Sequence, residues 1–406
     1  MRSIKSRRIV LFARPKPSDD EMAERKEQLR DLLSAAEAEI DKLARLNPTV
    51  LNHLDISEVH GPKLPLLKNR LGISEKEASR LCLKANRLLN VSLETLEGRI
   101  DWLQAKLNLN KAQLRKTIVR SPVILACSTE DTLEPTINSI QSSLELSEKE
   151  LTKMFVNHPD TLLYKFTMEK LTVRLSFLQD ILNINEGDIA KLRAATLKKP
   201  QILFWSEGSM LESQQWIKNR FGYGDSKVAQ ICRLFPHLLV SNITTLEERT
   251  NDIQSELALD NDELERVISN TPSLLSSSIN ENIKPKMEYF QRTFALDAEE
   301  VKTLLLRHSV LLKLSIAKNV EPKIEFYSKL AGRAVAKEAI LENPNLLLQS
   351  FKKRLTPRLA EIVESGDKVR WSKTLLFRIA LRNPAQWEAY GLDDAPRGPG
   401  ARSRKE

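Results

Sequence analysis

The 406 residues hold 63 Lys and Arg against 54 Asp and Glu, a net charge of +9, and 41 % of them are hydrophobic, so the chain folds around a core and is not a disordered polyelectrolyte. Glycine is scarce, at twelve residues, which favours helices, and three scattered cysteines (Cys82, Cys127, Cys232) exclude a disulfide framework and a cysteine zinc site and read as small core residues in a reducing compartment. No apolar run reaches the roughly 18 residues of a membrane span.

In chain order, residues 1–18 come first, with six basic residues and no acidic one. Their Ser and apolar residues suit an organelle transit sequence or an unstructured basic arm. Ser18 and Glu21 form a capping box that predicts a helix through about Leu46. From there a motif returns: Asn47-Pro48-Thr49-Val50-Leu51, Ser121-Pro122-Val123-Ile124-Leu125, His158-Pro159-Asp160-Thr161-Leu162, and onward to Asn383-Pro384. Asn86 and Ser309 hold the frame without proline. These ten slots stand 35 to 41 residues apart.

Two further markers keep step. Eight, five and four residues before a slot sit apolar triads such as Leu264, Val267 and Ile268, which share one helical face. Twelve residues before it sits a cap residue: Ser74, Asn110, Ser147, Asp188, Gly224, Asp260, Asp297, Gly332 or Ser372. Five of these have the capping-box partner Glu77, Gln113, Glu150, Glu263 or Glu300 three residues on. One helix therefore runs from cap to slot and stops at the proline. A second follows, with Pro135, Pro285, Pro322 or Pro357 expected at its first position. A lone helix pair cannot bury its own apolar face, but stacked copies can. The fold expected is all-α: a right- or left-handed α-solenoid of about ten helical repeats over residues 19–390, followed by a Gly/Pro/Arg-rich tail at 391–406.

The unit cap-x-x-Glu-Leu-x-x-Val-Leu-x-x-x-Pro-x-Leu-Leu, then Pro-Lys/Arg-Leu-x-Phe-Leu, is clearest from Asp260 to Phe290 and from Asp297 to Tyr327. It resembles the mitochondrial transcription termination factor (mTERF) family over roughly residues 36–390. The resemblance implies a curved superhelix with a basic concave path for nucleic acid, usually double-stranded DNA. It implies a role in transcription termination or initiation, ribosome biogenesis or intron splicing in mitochondria or chloroplasts, with no cofactor and no catalysis. The unit ending at Pro200 departs from the pattern, being longer and weakly apolar (Leu192, Ala195, Thr196).

A duplex-binding solenoid needs cations at a recurrent position. Thirteen to fifteen residues after the slots stand Arg99, Arg174, Arg249, Lys286, Lys323 and Arg358, an expected ridge of phosphate contacts. The same placement suits cations that snorkel or pair with a neighbouring Glu. A denser group is C-terminal: Lys352, Lys353, Arg354 and Arg358, then Lys368, Arg370, Lys373, Arg378 and Arg382. Residues 350–406 carry thirteen basic and seven acidic residues, which with the first 18 leaves −3 for the middle of the chain. This group reads as an anchor for a polyanion, or as a solvated end that keeps the array soluble.

Enzyme readings fail: the five His are never spaced i, i+4 as metal ligands on a helix would be, and there is no phosphate-binding glycine loop or nucleophile elbow. The expectation is a monomeric, non-enzymatic regulator that grips duplex DNA and has no membrane partner. An RNA-binding factor in rRNA maturation or splicing, and a protein-interaction scaffold, are the alternatives.

Overall fold

A computed structural model describes residues 18–53, 55–364 and 371–383. The basic arm to Pro17, the tail at 391–406, Lys368 and Arg370 lie outside the described residues. Those described are helical or in turns, with no strand. The chain forms two compact units, Met1–Glu207 and Gly208–Glu406, and each is a run of the same helical repeat.

The repeat beginning at Asp260 shows why the sequence folds this way. The Asp260 carboxylate accepts from the Glu263 amide at 2.7 Å, and the Glu263 side chain accepts from the Asp260 amide at 3.0 Å. Helix Asn261–Asn270 follows, burying Leu264, Val267 and Ile268. Thr271, before the proline, takes φ −141° and ψ 64° and ends the helix. The chain then tightens into a 3₁₀ helix, Pro272–Ser276, whose Leu274 and Leu275 are buried. At about 1.5–3 kcal/mol for each fully buried aliphatic side chain, these five side chains outweigh a cap worth about 1 kcal/mol. All nine expected caps are N-cap residues, and the five capping boxes form. Polar ladders join neighbouring slots: the Asn47 amide donates to the Asn86 carbonyl at 2.9 Å, and the Thr271 and Ser309 hydroxyls meet at 2.7 Å.

Two expectations are corrected. The N-terminal helix does not continue to Leu46: it ends at Leu33, where Ser34 turns left-handed (φ 47°), and a second helix runs Glu37–Leu46. The prolines do mark the start of the second α-helix, at its second position and not its first. A π-helical turn precedes each: Thr129–Leu133, Ile279–Ile283, Ile316–Val320 and Phe351–Leu355, capped by Ser128, Ser278, Ser315 and Ser350. A serine seven residues before the proline is therefore the start signal. The two slots without proline keep the frame, as expected. Asn86–Asn90 and Ser309–Lys313 make the same 3₁₀ turn, because their leucine pairs still have the core to fill.

The repeat ending at Pro200 buries a polar residue at an apolar position. Thr196 replaces an aliphatic residue and is fully buried, and its hydroxyl has no hydrogen-bond partner among the described residues; the Thr161 hydroxyl is in the same position. An orphaned buried hydroxyl costs roughly 1–3 kcal/mol. Thr196→Val keeps the shape and removes the polar atom, so it raises stability by about 1 kcal/mol in urea unfolding. A variant less stable than the parent would show that the hydroxyl is satisfied after all.

Candidate nucleic-acid interface

The recurrent cations of the second helices turn inward. The ammonium of Lys323 donates to the Leu347 carbonyl at 2.5 Å, and that of Lys286 donates to the Leu312 carbonyl. Arg99 donates to the Leu125 carbonyl at 2.8 Å and Arg249 to that of Leu275 at 3.3 Å. Arg25 and Lys63, earlier members of the series, donate to Leu51 and Leu89. In each case the acceptor is the second residue of the next slot's apolar pair, in a 3₁₀ helix whose last carbonyls lack intrahelical donors. A cation answers both the missing donor and the partial negative charge of that helix end. Arg358 does the same for the last helix, Lys373–Leu381, donating to the carbonyls of Ile379 and Arg382 at 2.7 and 2.9 Å.

The expected phosphate ridge is corrected accordingly. Lys286, Lys323 and Arg358 are buried, and burial depresses the pKa of each. They clamp one repeat to the next and do not face a ligand. Arg99 and Arg249 are half-buried, each with one N–H committed to its clamp. Arg174 lies over the Phe177 ring and 3.5 Å from Glu207.

Of the C-terminal group, Lys352 and Lys353 are exposed on the turn Phe351–Leu355. Arg354 is half-buried and donates to Gln349 and to the Ala380 carbonyl. Arg378 and Arg382 are half-buried on or beside the last helix. Lys373 is held by Glu338 and Glu342 at 2.7 and 2.5 Å, which raises its pKa to about 12. Outward positive charge in this group is therefore best developed at Lys352 and Lys353.

The sequence pattern does not announce a second set of cations, on the first helices of unit Met1–Glu207. Six and two residues before the slot, Lys42, Arg80, Lys84, Lys116, Arg120 and Lys153 are exposed. One groove of about 410 Å³ is lined by Lys42, Arg80, Lys84 and a single acid, Glu39. Another, of about 670 Å³, is lined by Lys116, Lys149, Lys153 and a single acid, Glu148. Lys84 reaches the Arg120 carbonyl at 3.0 Å and Lys116 the Asn157 amide oxygen at 2.7 Å. Arg120, Lys199 and Lys116 all act on His158, whose pKa falls through burial first and these charges second, with Asp160 opposing. Lys199 is itself depressed by burial and by Arg120. Like charges are thus gathered along the first helices, Lys84 and Arg120 in their last turns, with few acids among them.

Among the described residues no three His, Cys, Asp or Glu side chains converge as a metal site, and no helix is long and apolar enough to cross a membrane. A model of the mTERF family matches residues 29–378. No curated protein matches the chain.

Proposed function

Because the chain belongs to the mTERF family, a family of nucleic-acid-binding regulators of organelle gene expression, we propose that it binds double-stranded DNA through phosphate contacts and controls transcription, termination included, in a mitochondrion or chloroplast. The observation that carries this reading is the set of exposed cations on the first helices of unit Met1–Glu207: Arg120, and Lys42, Arg80, Lys84, Lys116 and Lys153, which line two grooves holding one acid each. Like charges gathered on one surface repel one another even in water. A polyanion relieves that repulsion and releases its own counterions in doing so. Lys352 and Lys353 supply a second exposed pair in unit Gly208–Glu406. The buried clamps do not belong to this surface; they tie one repeat to the next.

Fluorescence anisotropy across a salt series tests the reading, with duplex DNA, structured RNA and single strands as probes. The parent protein prefers the duplex, with a steep salt slope. Arg120→Gln combined with Lys199→Gln lowers duplex affinity about tenfold at moderate salt, and flattens the log–log slope by about 0.9 for each phosphate no longer neutralised. Unchanged affinity and slope would remove these residues from the interface. Preference for structured RNA would favour the RNA-binding alternative, and no binding at low salt would favour a protein scaffold.

A further inference from the structure

We infer that a cavity of about 590 Å³ over the first three slots of unit Met1–Glu207 is a binding site for a phosphate monoester, carried by a free mononucleotide or by the 5′ end of a nucleic-acid strand. Its charged lining is Arg87 and Arg99, with no acidic residue. Arg87 stands in the 3₁₀ turn Asn86–Asn90, is exposed, and has no carboxylate partner among the described residues. Arg99 stands in helix Leu93–Lys106 and is fixed by its bond to the Leu125 carbonyl. A guanidinium carries five N–H donors, so that one bond leaves Arg99 most of its fork.

The N-cap of the same helix adds a neutral donor. The Ser92 hydroxyl donates to Thr95 Oγ1 at 2.7 Å, which orients the Thr95 hydroxyl and leaves its hydrogen for a ligand at the cavity wall. Leu46, 62 % exposed, and Val91 give the cavity an apolar side against which a nucleoside can lie. Two guanidiniums without an acid match a dianion. A phosphate monoester carries about −1.5 to −2 near neutral pH, against −1 for a backbone diester. Arginine forks are the groups that take phosphate oxygens bidentately. The volume lies within the usual range for small-molecule sites.

The site does not depend on duplex binding by the Arg120–Lys199 surface, and it carries its own reporter. Cys127 is half-buried and lies in the field of both Arg99 and Arg87, which oppose the upward push of burial on its thiol pKa. Cys82 and Cys232 are fully buried. A bound dianion neutralises the two guanidiniums, so it lowers the thiolate fraction of Cys127 and slows its alkylation.

The experiment titrates the full chain with inorganic phosphate, AMP and adenosine by calorimetry, and follows iodoacetamide labelling of Cys127 in parallel. Phosphate and AMP bind and slow the labelling, while adenosine binds at least tenfold more weakly than AMP. Arg87→Gln weakens AMP binding about tenfold, the loss of one charged hydrogen-bonding partner, without moving the urea midpoint. Lys352→Gln with Lys353→Gln leaves AMP binding unchanged. A 5′-phosphorylated duplex bound more tightly than its 5′-hydroxyl counterpart identifies the strand end as the source; AMP binding without that difference identifies the free nucleotide. Absence of both heat and protection with phosphate and AMP, or an Arg87→Gln protein that binds AMP like the parent, overturns the assignment.

Discussion

Arg358→Leu lowers the stability of unit Gly208–Glu406 by about 3 kcal/mol, the sum expected when two charge-assisted hydrogen bonds of about 1.5–3 kcal/mol each disappear and part of that loss is offset by no longer burying a charge. Arg358 is 6 % exposed, and two of its guanidinium N–H groups close the carbonyls of Ile379 and Arg382. Leucine fills most of the space but leaves both carbonyls without that donor. Lys323→Met is the milder version, at about 2 kcal/mol, because one ammonium serves mainly one carbonyl, that of Leu347. Burial already disfavours the charged form of Lys323, which tempers its loss. Urea unfolding of the full chain reads both. If Arg358→Leu unfolds at the parent's midpoint while DNA binding drops, the residue is a ligand contact and the clamp reading is wrong. A lowered midpoint with intact duplex affinity in the folded protein is the expected pattern.

The clamps also explain which parts of the molecule could be read from sequence. Caps, apolar triads and slots are local: each depends on residues three to twelve positions apart, so Asp260 with Glu263, or Leu274 with Leu275, declare themselves. The clamp is not local. Arg99 meets Leu125 and Lys286 meets Leu312, 26 residues on in both cases, in the next repeat. A cation recurring at one position of every unit is what a row of phosphate contacts and a row of carbonyl clamps would both produce. Only burial separates the two. Where the cation is absent the contact shifts: Thr136 donates to the Tyr164 carbonyl at 2.7 Å, two residues beyond the position the cations reach.

The outward cations were obscured for the opposite reason. Lys84, Arg120 and Lys198 close the last turns of first helices, where positive charge complements the helix end and invites no further reading. In the second unit Arg307 keeps that charge, but the other corresponding positions hold residues such as Leu234, Asn270 and Glu342, and the middle of the chain sums to −3. The C-terminal run stood out by density alone, yet ion pairs with Glu338 and Glu342 and the carbonyls near the last helix occupy several of its members. Net charge along a sequence does not distinguish a cation facing solvent from one facing a carbonyl.

Acid destabilises unit Met1–Glu207 through one buried imidazole, by about 3 kcal/mol between pH 6.5 and pH 4. His60 is fully buried, and its pKa is lowered to about 4, by burial first and then by Lys63 and His53. Nε2 lies 3.1 Å from the Val50 carbonyl and Nδ1 lies 3.3 Å from the Lys63 ammonium. The neutral ring fits both, as donor at Nε2 and acceptor at Nδ1. A second proton on Nδ1 would confront the ammonium, which is itself held by the Leu89 carbonyl. The unfolded chain takes up that proton near pH 6.5, whereas the folded one resists it to about pH 4. Stability from this group is therefore complete above pH 6.5 and declines as pH falls through that window, at about 1.4 kcal/mol per pH unit of separation. His60→Gln retains a donor for Val50 but cannot titrate. Its urea midpoint varies less than the parent's between pH 7 and 4.5, and the difference between the two proteins cancels the contributions of His158, His308 and the capping carboxylates, which both share. Parallel pH profiles for parent and variant would mean that His60 accepts its proton without cost, and that the pairing with Lys63 does not hold in solution.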